Sequence, residues 1–357
     1  MKRLIILIDE KSWFLVSTPD CKNYMSMDVD KIKKNFLAFN FVVDVYKFSK
    51  LDLNEDFNGV YVLYQTSELP GSFFKGYIED IIYFLEKNGA ITIPSHEMLK
   101  AHHNKIFMEL IRSRFKDDSL KTIKSICYGS WNEAQNYNGS FPVVIKQPSN
   151  AGSKGVFLAR NRTEYKRVIR KASRIILASN LLDLVIIRTK KTVKKIIKYF
   201  NPLKAVYYSF NTDPLSTPIV VQNFIEGLQG DYKILIFGNK YYALYRKNRD
   251  SDFRASGSGR FFVVSENEHE GLFNFANKIT RELDSPIFGM DVGFDGKNYH
   301  LFEFQMIHLG PCTLQNSQFW HEFHDNKWIR YEGTSDLEEE FSKAVYDYII
   351  RSDKISN

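Results

Sequence analysis

At 357 residues with 44% hydrophobic content, the chain is long enough for two or three domains with cores of their own, which excludes a disordered protein. Its formal net charge of +7 points to an anionic partner without choosing among nucleotide, nucleic acid, acidic glycan and membrane surface. Cys21, Cys127 and Cys312 lie far apart, giving neither a disulfide framework nor metal-ligand spacing, and they fit a reducing cytoplasm.

The N-terminal apolar run, Leu4 to Ile8, stops at Asp9 and reads as a first strand rather than a signal peptide. No other stretch approaches the roughly 20 apolar residues of a membrane span. Up to Pro94 the pattern alternates. Arg3–Ile8, Phe41–Tyr46, Gly59–Tyr64 and Ala90–Ile93 read as strands, with helical spacing over Val29–Phe39 and Tyr77–Lys87, so residues 1–94 form an α/β domain. One helix is predicted over Ser95–Phe115, including His102 and His103. Adjacent histidines point to different helix faces, and no carboxylate or cysteine stands at a ligand offset, so the pair reads as structural rather than as a zinc site.

Strands follow at Thr122–Cys127 and Pro142–Lys146. The second delivers Lys146 to a loop, Gln147–Gly155, that returns as Val156–Ala159. Gly152 and Gly155 permit positive φ and close backbone approach, and Ser153 lies between them, so the loop is suited to covering an anion. Residues 160–204 carry fourteen basic residues against Glu164 and Asp183, in an amphipathic helical pattern. Such an insertion suits an anionic substrate or an anionic membrane surface. Stacking aromatics are sparse within it, so no nucleic-acid partner is expected.

Pro218–Phe224, Tyr232–Phe237 and Tyr241–Arg246 are predicted to share one antiparallel sheet. A second glycine-rich loop, Asp252–Arg260, carries Arg254. After a helix at Gly271–Leu283, strands Phe288–Phe294 and Tyr299–Phe304 form a hairpin turning at Asp295-Gly296. An amphipathic tail helix, Asp336–Ser352, is expected on the outside. Asp291 on the first strand of the hairpin and Glu303 and Gln305 on the second are hard oxygen donors that can converge on one wall. They suit Mg²⁺ with bound phosphate and suit zinc poorly.

In this order the pieces resemble the ATP-grasp superfamily of carboxylate–amine ligases, over roughly Pro94–Pro311. Asn104-Lys105 and Phe141–Lys146 resemble the segments that bring the two phosphate lysines, and Ser149–Gly155 resembles the mobile lid. Gln222, Asn223 and Ile225 lie in a segment similar to the adenine-holding strand and hinge, and Asp231 stands where an acid takes the ribose hydroxyls. Asp252-Phe253-Arg254 resembles the segment that carries a cation over the transferred phosphate. Asp291, Glu303 and Gln305 match the magnesium trio, although asparagine is the commoner third ligand.

The resemblance implies an α/β fold, α+β in the ATP-grasp part, with three domains. These are an N-terminal α/β domain over 1–94, a central lid domain over 95–225 with the basic insertion, and a C-terminal antiparallel-sheet domain over 226–357. It implies ATP and two Mg²⁺ ions, with Lys105, Lys146, Gly152, Ser153, Gly155, Gln222, Asn223, Ile225 and Asp231 binding nucleotide. Arg254, Lys233 and Arg246 are the candidate catalytic cations. The implied reaction is amide formation through an acylphosphate with release of ADP and phosphate. Ala101–Lys105 and Arg254–Gly259 are also similar to uncharacterised members associated with surface-polysaccharide gene sets, which implies a uronic acid or glycan carboxylate plus an amine. Phosphotransfer and peptide modification are the alternatives within the fold, and a dimer and a location at the inner membrane face are consistent with it.

Overall fold

The computed structural model describes residues 1–15, 26–65, 72–149, 155–173, 217–249, 252–254, 261–264 and 266–356. Gly152, Ser153, Ser256, Ser258, Arg260 and most of the 160–204 insertion lie outside them. The chain divides into two compact units, one of Met1–Ile123 with Ile225–Asn357 and one of Lys124–Phe224.

The first unit opens with β1 (Lys2–Ile8), a short ribbon of β2 (Phe14–Leu15) and β3 (Ser26–Met27), α1 (Val29–Ala38), β4 (Phe41–Lys47), β5 (Tyr61–Tyr64), α2 (Ser72–Lys87) and β6 (Ile91–Ile93). The four longer strands form a parallel sheet in the order β4-β1-β5-β6. Central β1 is apolar on both faces, as buried parallel strands are. Leu4 and Ile6 pack into one core cluster, and Ile5 and Leu7 into another.

Next come α3 (His96–Ala101) and α4 (Lys105–Ser113), where one helix was predicted. The helix breaks because His103 adopts φ +53° and Asn104 caps α4, its side chain accepting the Phe107 N–H at 3.2 Å.

The second unit contains β7 (Ser125–Tyr128), α5 (Trp131–Ala134), β8 (Val143–Lys146), β9 (Val156–Ala159), α6 (Arg162–Ala172) and β10 (Ile219–Asn223). Its antiparallel sheet runs β7-β10-β8-β9, over a core of Ile145, Ala159, Tyr165, Ile169 and Ile219. The sequence pattern joins β10 to the strands after it. Instead β10 pairs with β7 and β8, and the boundary between units falls between Phe224 and Ile225.

The first unit resumes with β11 (Gly230–Phe237), β12 (Lys240–Lys247), β13 (Phe261–Val263), α7 (Glu266–Leu283), β14 (Ile287–Phe294), β15 (Tyr299–Gln305), α8 (Cys312–Gln315), β16 (Phe319–His324), β17 (Lys327–Glu332) and α9 (Leu337–Ser356). Its strands form one antiparallel sheet, β15-β14-β11-β12-β16-β17, with β13 also on β12. Alternation decides what each face meets. Tyr232, Ile234 and Ile236 of β11 face one core with Met290 and Val292. Leu235 and Phe237 face another, into which α9 buries Leu337, Phe341, Val345 and Ile349. The tail helix is amphipathic as expected: its apolar stripe covers this sheet face, while Glu339, Lys343, Asp347 and Arg351 on its other side are exposed.

Among the described residues no helix is long and apolar enough to cross a membrane. Cys312 is disulfide-bonded, which corrects the expectation from cysteine spacing, since distance along the chain does not report approach in space.

Candidate active site

The face of β11 that buries Leu235 and Phe237 at one end carries Asp231 and Lys233 at the other. Strand register aligns their neighbours. Asp231 lies opposite Arg246 of β12, Lys233 lies opposite Asp291 of β14, and Asp291 lies opposite Glu303 of β15. Four adjacent strands therefore bring five charged groups to one wall, and α4 adds a sixth, Lys105.

These groups pair closely. Arg246 grips Asp231 through two nitrogens, with Nε donating at 2.8 Å, and its Nη2 also lies 2.8 Å from Asp291. Lys233 Nζ sits 3.1 Å from the other Asp291 oxygen, and Lys105 Nζ sits 3.2 Å from Glu303. Asp231, Asp291 and Glu303 are thus balanced by Lys105, Lys233 and Arg246.

Burial opposes ionisation of Asp291, but the charges and hydrogen bonds of Arg246 and Lys233 outweigh it and hold the carboxyl below the usual carboxylate range. Burial pushes Asp231 up to about 6 against the pull of Arg246, with the Asp291 charge adding to the rise. Burial alone would lower Arg246, but Asp291 and Asp231 hold it above the ordinary arginine value.

Gln305 lies opposite Gly289, and a Cβ on Gly289 would come 3.3 Å from Gln305 Cγ, so the glycine makes room for the longer side chain. The Gln305 amide nitrogen donates to the His308 carbonyl at 2.7 Å, which leaves its oxygen as the end available to a cation. Two carboxylates and an amide oxygen on one wall fit Mg²⁺. Among the described residues no group of three or more His, Cys, Asp and Glu is placed to hold a metal.

Arg254 makes a two-pronged contact with Asp252, Nε to Oδ1 at 2.9 Å and Nη2 to Oδ2 at 2.8 Å, and that contact depresses the Asp252 carboxyl. In the second unit Lys146 is buried at the end of β8, opposite Val156 and Val220, and Gly155 has φ +73° where Gln147 N–H reaches its carbonyl. Gln222 is buried and donates to Ser125 Oγ at 3.0 Å. Asn223 exchanges two bonds with Lys124, accepting its N–H on Oδ1 at 2.7 Å and donating its own N–H to the Lys124 carbonyl at 3.1 Å. Ile225 is half-buried at the start of the returning chain.

Sequence reasoning missed Glu109 and Arg112, buried on the helix face that presents Lys105. Their i+4 and i+7 spacing from Lys105 was the available signal. It also missed that His102 leaves its helix to stack on His308, with ring centroids 5.4 Å apart.

No protein-family model matches the sequence, and no curated protein matches it. Solved structures do match. The ATP-grasp ligase PsnB, solved with a minimal precursor, aligns at 10% identity over 97% of this chain and 99% of its own, with a TM-score of 0.50. A Chryseobacterium gregarium ATP-grasp ligase, solved with ADP and with leader and core peptides, aligns at 12% identity over 99% and 97%, also at 0.50. The D-cycloserine synthetase DcsG aligns at 10% identity over 97% and 99%, again at 0.50. The chain has the ATP-grasp fold. Within this ATP-grasp fold, the sheet of the larger unit carries the charged wall just described.

Proposed function

We propose that the chain is an ATP- and Mg²⁺-dependent ligase that joins a carboxylate to an amine through an acylphosphate, releasing ADP and phosphate. The observation that carries this reading is Asp291 in register with Glu303, with Gln305 on the same face and three cations around them. Mg²⁺ held by Asp291, Glu303 and Gln305 would neutralise charge on the phosphate oxygens.

Lys105 leaves Glu303 for a phosphate oxygen, and Lys146 takes a second. Asp231 orients Arg246 toward Asp291, and a ribose contact at Asp231 would compete with that pair. Gln222, Asn223 and Ile225 hold the base. A substrate carboxylate oxygen attacks the γ-phosphorus and ADP leaves. The amine then attacks the acyl carbon, the C–N bond forms, phosphate departs, and the amine gives up a proton. Arg254, released from Asp252, steadies the oxyanion, and Lys233 keeps Asp291 ionised. In this reading the loop 149–155, of which residues 150–154 lie outside the described residues, would cover the acylphosphate and exclude the water that hydrolyses it.

The neighbours solved with peptides support a peptide carboxylate as acceptor, and the basic insertion supports an acidic one, whether peptide or uronic-acid glycan. An ADP-release screen over acid and amine pairs tests the reading. ADP and phosphate appearing only with both partners is expected, whereas AMP with pyrophosphate overturns the scheme. A stable phosphorylated product formed without an amine points to phosphotransfer instead.

A further inference from the structure

The trio shares one face because of a single extra residue. From the turn inward, Phe294 lies opposite Tyr299, Gly293 opposite His300 and Val292 opposite Leu301, and the next pair is Asp291 with Glu303. Phe302 is the bulged residue. Side chains on a strand alternate, so a one-residue change of register sends every later side chain to the other face. An uninterrupted ladder would set Glu303 opposite Met290 and Gln305 opposite Phe288, inside the apolar core that holds both. Phe304 would then face the charged wall. The bulge reverses this parity, burying Phe304 beside Met290 and turning Glu303 and Gln305 to Asp291.

A bulge disrupts the ladder locally. Here the Phe302 carbonyl accepts from Arg112 Nη2 at 3.2 Å. Arg112 is 2% exposed, and both Glu109 carboxylate oxygens accept from its Nη1 at 3.0 Å. The same helix carries Lys105 to Glu303. On the sheet side Phe302 lies over Gly293, where a Cβ would fall 2.4 Å from its ring. The bulge is therefore fixed from the helix through its carbonyl and accommodated on the sheet by a missing side chain.

We propose that Arg112, oriented by Glu109, is the positioning residue that fixes the Phe302 bulge and thereby sets Glu303 and Gln305 in register with Asp291. The rival account is that Arg112 only neutralises Glu109 inside the core. Deleting Phe302 separates the two. The shortened strand pairs Asp291 with Glu303 directly after Val292 with Leu301 and needs no bulge, so Arg112 should become dispensable for register.

Arg112→Met is made in the full chain and in the Phe302-deleted chain, and two quantities are read. One is the yield of the disulfide between cysteines placed at Asp291 and Glu303, which reports register alone. The other is Mn²⁺ binding in the presence of ADP, followed by electron paramagnetic resonance, which rests on the proposed function. In the full chain Arg112→Met should lower the cross-link yield and weaken Mn²⁺ binding about 10- to 100-fold, the range for lost supporting contacts around a metal site. In the deleted chain both effects should nearly vanish. Equal effects in both backgrounds, or none in the full chain, overturn the proposal.

If Arg112→Met folds only in the deleted chain, that suppression supports it. If it folds in neither, Arg112→Lys, which keeps the charge for Glu109 but lacks the fork that reaches both partners, is read the same way. A wild-type chain that takes up no Mn²⁺ with ADP counts against the functional reading, while the cross-link still decides the register claim.

Discussion

The balance of three carboxylates against three cations has a consequence for Lys105→Met. Lys105 is 6% exposed and lies 3.2 Å from Glu303, whose side chain is 38% exposed. At an effective dielectric constant of about 20 the gross attraction is about 5 kcal/mol, but desolvation and solvent screening at Glu303 reduce the net to about 1 kcal/mol. A divalent cation arriving without nucleotide must displace Lys105 from Glu303 and strand its charge. Removing Lys105 should therefore tighten Mn²⁺ binding to the nucleotide-free protein by about fivefold. With ADP the sign reverses. A charge-assisted hydrogen bond to a phosphate oxygen contributes about 1.5–3 kcal/mol, so ADP should bind about 10- to 150-fold more weakly to the variant. Calorimetric titration of Mn²⁺ and of ADP, each with and without the other, reads both effects. Weaker Mn²⁺ binding in the nucleotide-free variant would refute the competition, and unchanged ADP affinity would remove Lys105 from the phosphate site.

Lys146→Ala should abolish ADP release in a steady-state assay; a variant that keeps its rate removes Lys146 from the phosphate site. Asp231 and Asp291 should give opposite pH dependences of stability. Asp231, raised to about 6, binds its proton more tightly in the folded state, so stability falls as pH rises from about 4, the unfolded value, through 6. Asp291, depressed in the folded state, contributes stability above pH of about 4 that is lost on further acidification. Urea midpoints across pH should show Asp231→Asn flattening the first slope, and a slope that survives the substitution assigns it elsewhere. Asn104→Ala should lose about 1 kcal/mol through the α4 cap, while Asn104→Asp should keep it; thermal midpoints that rank the two the other way remove the capping account.

The sequence made the hairpin of β14 and β15 legible because Asp295-Gly296 is a strong turn signal between two β-rich runs, and the structure pairs Asp291 with Glu303 across it. Parity was hidden. Simple alternation could not reveal that Phe302 is extra, because a bulge is fixed by a partner outside the strand, here Arg112, 190 residues away. The same reason explains the missed Asp231–Arg246 pair, which depends on cross-strand register rather than spacing. His103 at positive φ broke a helix whose apolar periodicity ran straight through it. The tail helix was legible as amphipathic but its contact surface was not, because amphipathicity reports that a face is buried without saying against what, and α9 covers the sheet and α1. β10 went to the wrong sheet because consecutive strands usually pair, and here the chain changes units at Phe224.

The most direct test of the ligase reading uses a carboxylate substrate labelled with ¹⁸O, incubated with ATP, Mg²⁺ and an amine, with the phosphate product read by ³¹P resonance. The acylphosphate route predicts one ¹⁸O in the released phosphate and none in ADP, with the signal abolished in Asp291→Asn. Label appearing in AMP, or amide formed with unlabelled phosphate, would contradict it.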